Sequence, residues 1–390
     1  MLGSLLVKLR QALRHRVVAA PPLPSPRLHR FARSFAANAS AAPPAPAVAF
    51  DKRDAGAAEY LRLSERDMKS RLHSPSLILG TVCYDPAVPS IWKGMMRHFA
   101  REGLDVDFIS FTSYERLVDA LLRRHVHIAW GGPLAHARLL RIAAARSSGV
   151  VALGMRDSDR DFGSLIVARA DARVASVADV AHRRVAVGTV DSPQAYVLPL
   201  WHLQCRGVDL GSLSVTRFDR DIGKHGDTAL GEDAVLDALT SGAVEVGAVS
   251  RLVWDRALAG GLGRAAGLVV VDEVPPFDHC QFAALADGQG GVPPRFLHFT
   301  RALLAQRRDG TGAHAEDART MELEGIRERW VEPRGGLGGV AKAGYEAISD
   351  ALDAWDEPRV PYPGVLHTAQ KHPFKHLTID YRLIRDANGC

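Results

Sequence analysis

The sequence predicts an α/β fold, with mostly parallel sheets and helices on both faces. Three observations carry this. Short apolar runs alternate with amphipathic segments from Leu77 to Gln306, the pattern of strand–helix–strand units. Several runs feed straight into a helix start, as at Thr112-Ser113, Gly132-Pro133 and Ser192-Pro193. Ser caps free N–H groups there, and Pro in the first turn loses no hydrogen bond. The 390 residues are 47% apolar and 24% charged, an ordinary globular balance with room for two or three domains.

Taken in order, Leu77–Val82 is the first strand, and Tyr84-Asp85-Pro86 turns it into a helix over Pro89–Arg101. Val106–Ile109 is the second strand; Ser113 caps the next helix, whose buried face is Leu117, Val118, Leu121 and Leu122. His127–Trp130 is the third, and Gly131-Gly132-Pro133 opens another helix. Val150–Met155 and Ser164–Ala168 are strands around a charged loop, and Ser176 caps a short helix over Val177–Val180. Val185–Val187 is a strand, followed by the Ser192 helix. Strands over Leu213–Phe218, Val244–Val249 and Leu268–Val271 enclose helices over Asp233–Leu239 and Arg251–Leu258. Val274–Phe277 reads as an extended crossover, Gln281–Leu285 as a strand and Pro293–Gln306 as a helix. Met321–Trp330 and Val340–Trp355 are expected to be helical, with the glycines of 335–339 as a hinge or loop because no strand precedes them.

The formal charge of +5 is concentrated at one end. Residues 1–50 hold seven basic residues and no acidic one, so the remainder is at 5 − 7 = −2. A broad nucleic-acid or membrane surface is not expected. The basic stretch itself reads as a mitochondrial import signal, with a plastid address as the alternative. Leu2, Leu5, Leu6, Leu9 and Leu13 recur at helical spacing, and Arg33-Ser34-Phe35-Ala36 resembles a processing site. A Pro/Ala-rich linker follows. Cys83, Cys205, Cys280 and Cys390 are far apart, which argues against a disulfide framework. His367, His372 and His376 lie at irregular spacing, so no metal site is expected.

The stretch Val187–Pro199 organises the chemistry. Its strand ends at Gly188, and the helix from Ser192 aims unpaired N–H groups and a positive dipole end at one spot. Such a spot suits an anion.

The order of motifs resembles the PhnD-like phosphonate/phosphate-binding proteins of ABC importers, a type II periplasmic-binding-protein family, over residues 76–305. The markers are Leu79-Gly80; Thr112-Ser113-Tyr114 with Val118-Asp119-Ala120-Leu121; the run His127 to Leu134; Ser192-Pro193-Gln194-Ala195-Tyr196-Val197-Leu198-Pro199; Gly223-Lys224-His225; and Val244 to Val249. The resemblance implies two α/β lobes with ligand in the cleft between them. Lobe 1 would hold 76–160 and, on return, 276–330. Lobe 2 would hold 161–275, and 331–390 would form an extension.

Ligand-binding residues implied are Tyr84, Ser113, Tyr114, Trp130, Gly131, Ser192, Gln194, His225, Ser250 and Arg251. Pro193 removes a hydroxyl and an N–H from the family's donor run, while Gln194 can still donate. Ser250-Arg251 replaces an acidic pair, which disfavours a cationic ligand tail and suits a second anionic group if Arg251 points inward. His225 is expected to be structural or solvent-facing. The expected function is binding of a small anion, without catalysis or cofactor; an ABC permease partner is not implied by an organellar address. One alternative is an enzyme using Asp85, Asp191, Lys224, His225, Asp227, His279 or Cys280 as acid, base or nucleophile. The other is a scaffold whose basic aromatic tail, Lys371–Arg385, docks a partner.

Overall fold

The computed structural model describes residues 76–259, 265–288, 290–309, 314–337 and 342–355. The basic N-terminal stretch, its linker and the basic aromatic tail lie outside these residues.

The described chain builds two sheets. The first has the order β11-β4-β10-β3-β1-β2, from β1 (Leu77–Val82), β2 (Val106–Phe111), β3 (Ile128–Gly131), β4 (Val150–Arg156), β10 (Gln281–Leu285) and β11 (Trp330–Val331). The second has the order β7-β6-β8-β5-β9, from β5 (Phe162–Arg169), β6 (Arg184–Val187), β7 (Ser214–Arg217), β8 (Val246–Ser250) and β9 (Leu268–Phe277). The expected α/β architecture is therefore present, but both sheets are mixed. β10 runs antiparallel to β3 and β4, and β5 runs antiparallel to β8 and β9. The remaining pairs of β1, β2, β3 and of β6, β7, β8 are parallel. β5 and β10 each follow a passage from one sheet to the other, which strand patterning alone does not reveal, and β11 also pairs antiparallel with β4.

All six residues of β1 are buried, as expected of a strand covered on both faces. Helix α1 (Val88–Arg101) packs Ile91, Trp92, Met95 and Phe99 against the sheet. Trp92 meets Phe282 of β10 edge-on at 6.0 Å. Each such buried side chain contributes about 1.5–3 kcal/mol. Helix α2 (Tyr114–Leu122) and helix α3 (Pro133–Ala145) cover the opposite face through Leu117, Leu121, Leu139 and Ile142.

In the second sheet, α4 (Leu198–Cys205) and α5 (Leu230–Thr240) lie on opposite faces. A side-chain carbon on Gly247 would stand 2.6 Å from Val235 Cγ1, so α5 packs directly on the backbone of β8. Helix α6 (Arg251–Ala259) follows β8 without a loop. Helix α7 (Pro294–Ala305) returns to the first sheet.

Four local expectations change. The helix placed at Met321–Trp330 is α8 (Ala315–Leu323), and Trp330 instead starts β11. Trp330 is buried against Trp130 and Phe282, and its indole N–H donates to Gln306 at 2.7 Å. Val274–Phe277 is the end of β9 rather than a crossover; the passage back to the first sheet is Asp278–Cys280. The last helix, α9, is shorter than expected at Glu346–Ala354. It buries Ile348 and Leu352 in the core of the second sheet. No helix among the described residues is long and apolar enough to cross a membrane.

Candidate functional site

The site is built around one loop. Between β7 and α5 the chain runs through Gly223-Lys224-His225-Gly226-Asp227, and this strap fastens the two sheet units together. Gly223 N–H donates to Asp191 Oδ2 at 2.5 Å, and Gly223 O accepts from Tyr114 N–H at 3.0 Å. Lys224 Nζ donates to Cys83 O at 2.5 Å. His225 Nε2 lies 3.0 Å from Glu115 Oε1, and its ring stacks on Tyr114 at 4.6 Å. The Tyr114 hydroxyl donates to Asp227. Asp191, on the second unit, is thus linked through the strap to Ser113, Tyr114 and Glu115 on the first.

The strap's backbone is strained to reach these contacts. Gly223 and Gly226 have φ of +93° and +84°, and His225 itself adopts +53°. A non-glycine residue there costs roughly 1 kcal/mol or more, which persists only where surrounding contacts fix it. Gly226 also has no room for a side chain: its Cβ would stand 2.5 Å from Ser192 Oγ and 2.8 Å from Gln194 Nε2.

Two of the three helix starts singled out in the sequence meet this strap, and the third lies beside Tyr114, whose ring stacks on it. Ser113 caps α2, although its bond from Arg116 N–H is long at 3.4 Å, and it lies against Gly223. Gly132 caps α3, with Tyr114 Cζ 3.8 Å and Cys280 Sγ 4.0 Å from where its Cβ would be. Ser192 is fully buried and accepts from Ala195 N–H at 3.2 Å. The turn it opens, Pro193–Val197, is a π-turn leading into α4. The Tyr114 amide at the α2 start is already used by Gly223 O.

Of the other expected residues, Trp130 and Gly131 close β3 beside this junction. Trp130 packs on Phe282 at 4.5 Å and carries the Arg156 guanidinium over its face at 5.3 Å. Tyr84 is half-buried, and burial together with the charge of Glu324 pushes its phenol far up. Gln194 donates, but inward: its Nε2 is 3.2 Å from Glu232 Oε1, while its Oε1 is buried without a partner. Ser250 joins the same carboxylate through its N–H, 2.6 Å from Glu232 Oε2.

Of the two readings of His225, structural or solvent-facing, the structure takes the structural one: the residue is 1% exposed and its Nε2 lies 3.0 Å from Glu115 Oε1. Arg251 does not point inward; its side chain is 42% exposed and paired with Glu273 on β9, because α6 starts where β8 ends and turns this residue outward.

The remaining groups of the site are mostly acidic; the sequence motifs mark none of Glu115, Glu232 and Glu324, and Asp227 enters there only as an acid or base of the enzyme alternative. Glu115 is pulled down to about 2: burial opposes the charge, but His225 and Arg138 outweigh it. Asp227 and Glu232 go the other way, because burial dominates their hydrogen bonds. Glu324 rises to about 7 for the same reason. Arg156 lies 3.5 Å from it, yet commits its fork to Asp159 at 2.5 and 2.8 Å. Only tertiary contacts bring these carboxylates together, so no local spacing marks them.

A second polar group sits at the passage between the sheets. Cys280 Sγ is 3.2 Å from His279 Nδ1, and the same nitrogen is 3.4 Å from Asp159 Oδ1. Burial pushes the Cys280 thiol well above its ordinary range, with Asp159 and Asp227 adding to the effect. A protonated buried thiol is a poor nucleophile. An orienting acid is also needed on the imidazole nitrogen away from the thiol, and here it faces the same one.

Two α/β sheet units, joined by paired passages and facing each other across a polar junction, define a ligand-binding protein of the periplasmic-binding type. The chain belongs to the family described as "ABC transporter, phosphonate, periplasmic substrate-binding protein", whose model matches residues 83–328. A curated relative is the "Probable ABC transporter phosphite binding protein PhnD1" of Prochlorococcus marinus (strain MIT 9301). It is 22% identical over 207 residues, which are 51% of this chain and 64% of that protein. The chain thus spans less than two thirds of this relative. Among solved structures, PhnD1 in complex with methylphosphonate has a TM-score of 0.53 at 16% identity, covering 73% of this chain and 99% of the other. A Xanthomonas citri protein bound to ATP has a TM-score of 0.53 at 15% identity, covering 73% and 98%. At these identities the likeness is one of fold.

Proposed function

We propose that this protein binds a small anion of the phosphate, phosphonate or carboxylate type at the junction of its two sheet units, without chemical turnover. One observation carries the reading. The starts of α2 and of the Ser192 turn, which lie far apart in sequence, meet at one strap, and the start of α3 lies beside Tyr114, which stacks on that strap. Helix starts pooled at one place present N–H groups and positive dipole ends to the same ligand. Family membership supports the same reading. The strap is the element that moves: ligand entry requires it to swing from Ser192 and Tyr114, by hinge motion of the kind two-domain binders use.

The raised thiol of Cys280 and its shared imidazole nitrogen weigh against the enzyme alternative. The organellar address is carried forward as part of the proposal. Residues 1–50 fused to a fluorescent protein should direct it to mitochondria, and diffuse or plastid fluorescence would remove that part.

The test of binding is a thermal-shift panel on the full chain with phosphate, methylphosphonate, an alkanesulfonate and a dicarboxylate. Ligand that binds only the folded state raises its melting temperature. At least one of these anions should do so in a concentration-dependent way. A flat response to all of them counts against the proposal, and product formation from any of them restores the enzyme reading.

A further inference from the structure

The strap also gathers a set of metal-ligand atoms. Glu115, Asp191 and His225 each present one within 4.8 Å of the others. The three residues come from α2, from the turn after β6 and from the strap. Asp191 is 2% exposed and His225 1%.

The valences at this cluster are incomplete. Glu115 Oε1 takes two donors, Arg138 Nη1 at 2.9 Å and His225 Nε2 at 3.0 Å. Its second oxygen, Oε2, is buried without a hydrogen-bond partner, and so is His225 Nδ1. A buried polar atom left unpaired costs about 1–3 kcal/mol. Oε2 also lies toward Gly223, standing 3.7 Å from where that glycine's Cβ would be. The N–H of the same glycine is bonded to Asp191 Oδ2.

We infer that Glu115, Asp191 and His225 form a binding site for a first-row divalent cation, of the Zn2+ or Mn2+ class, that bridges the two sheet units. One imidazole with two carboxylates is a donor set for such ions rather than for Ca2+, which takes six to eight oxygens. The ligand atoms have to draw closer by a fraction of their present spacing to reach bonds of about 2.0–2.2 Å, a movement that the jointed strap accommodates. The bound ion takes Glu115 through its free Oε2 and His225 through Nε2, the ring nitrogen that faces Glu115, and fastens Asp191 to α2 directly. The site stands on its own geometry and does not need the anion-binding proposal.

The Asp159–His279–Cys280 group is the competing location. It is disfavoured because Arg156 occupies both Asp159 oxygens, whereas Arg138 occupies only one oxygen of Glu115 and leaves Oε2 without a partner.

The test is calorimetric titration of Zn2+ into full chain freed of metal with EDTA. One equivalent should bind, and Asp191→Asn and His225→Gln should each weaken the affinity by about tenfold or more. Unchanged affinity in either folded variant overturns the proposal, as does absence of binding in the parent protein. Where a variant does not fold, the Co2+ spectrum of the parent decides. A d–d spectrum without thiolate charge transfer supports the site, whereas a thiolate-to-cobalt band puts the ion at Cys280 and overturns it. Repeating the phosphate titration on metal-free protein separates the two ideas: anion binding without metal binding removes only this site, and the converse removes only the proposed function.

Discussion

His225 and Glu115 stand 110 residues apart in sequence and 3.0 Å apart in space, joining a loop of the second sheet unit to a helix of the first. Arg138 completes the group at 2.9 Å from the same carboxylate oxygen. Removing one member of a buried ionic group is far more costly than the group's net value, because the others lose the partner that offset their desolvation. Glu115→Ala should therefore destabilise the fold by about 3–5 kcal/mol, measured by urea unfolding. A loss below about 1 kcal/mol, the range of exposed pairs, contradicts the role given to this contact.

Gly226 tests the strap without touching a charge. Its φ of +84° and the 2.5 Å approach of Ser192 Oγ leave no place for a methyl group. Gly226→Ala should lose about 1–3 kcal/mol through overpacking and backbone strain. The same variant should weaken anion affinity in calorimetry, since the strap can no longer seat. Unaltered stability and affinity together mean that the strap does not close on Ser192 in solution.

Much of the fold was legible in the sequence, and the reasons are local. Ser113 and Ser192 were readable as caps because capping depends on one side chain and the next three amides. β1 and β10 were readable because fully covered strands are short and mostly apolar. The reversed direction of β5 and β10 was not, because strand direction depends on the passages between sheets. Trp330 was mistaken for the end of a helix, although its indole is held by Gln306 and Trp130 from other elements. At the site, serine and tyrosine positions were readable from their motifs, but Glu115, Glu232 and Glu324 had no local signature. The side-chain direction of Arg251 depends on the single residue at which β8 becomes α6, and boundaries of that precision are not encoded in periodicity.

The exposure of Arg251 carries its own prediction. Its side chain is 42% exposed and that of its partner Glu273 is 65% exposed. Arg251→Ala should change stability by no more than about 0.5 kcal/mol and leave anion affinity unchanged. A marked loss of affinity means that the side chain turns inward when ligand binds, restoring its expected role as an anion contact.

Glu324 makes stability depend on pH. Its carboxyl titrates at about 7 in the fold, against 4.5 as the ordinary value, because burial outweighs the pull of Arg156. The folded protein thus binds the proton more tightly than the unfolded chain. The stability from this group is fully present below pH 4.5 and is lost as pH rises toward 7, by up to about 3 kcal/mol. His127 works in the opposite sense: burial lowers it to about 4, so its contribution is lost as pH falls below 6.5. The two slopes partly cancel in the parent protein. Glu324→Gln should uncover the His127 slope, making stability rise more steeply between pH 5 and 7 than in the parent, as read by urea unfolding at each pH. Parallel pH profiles for parent and variant contradict the assignment.

The most direct test of the central claim is calorimetric titration of methylphosphonate into the full chain and into its Ser192→Ala variant. The account predicts saturable binding to the parent protein and affinity lowered by about tenfold in the variant, the loss of one anion contact worth roughly 1.4 kcal/mol. Saturable binding with equal affinity in both proteins contradicts the placement of the ligand at the Ser192 turn. No heat of binding from methylphosphonate, with phosphate and carboxylates equally silent, contradicts the claim itself.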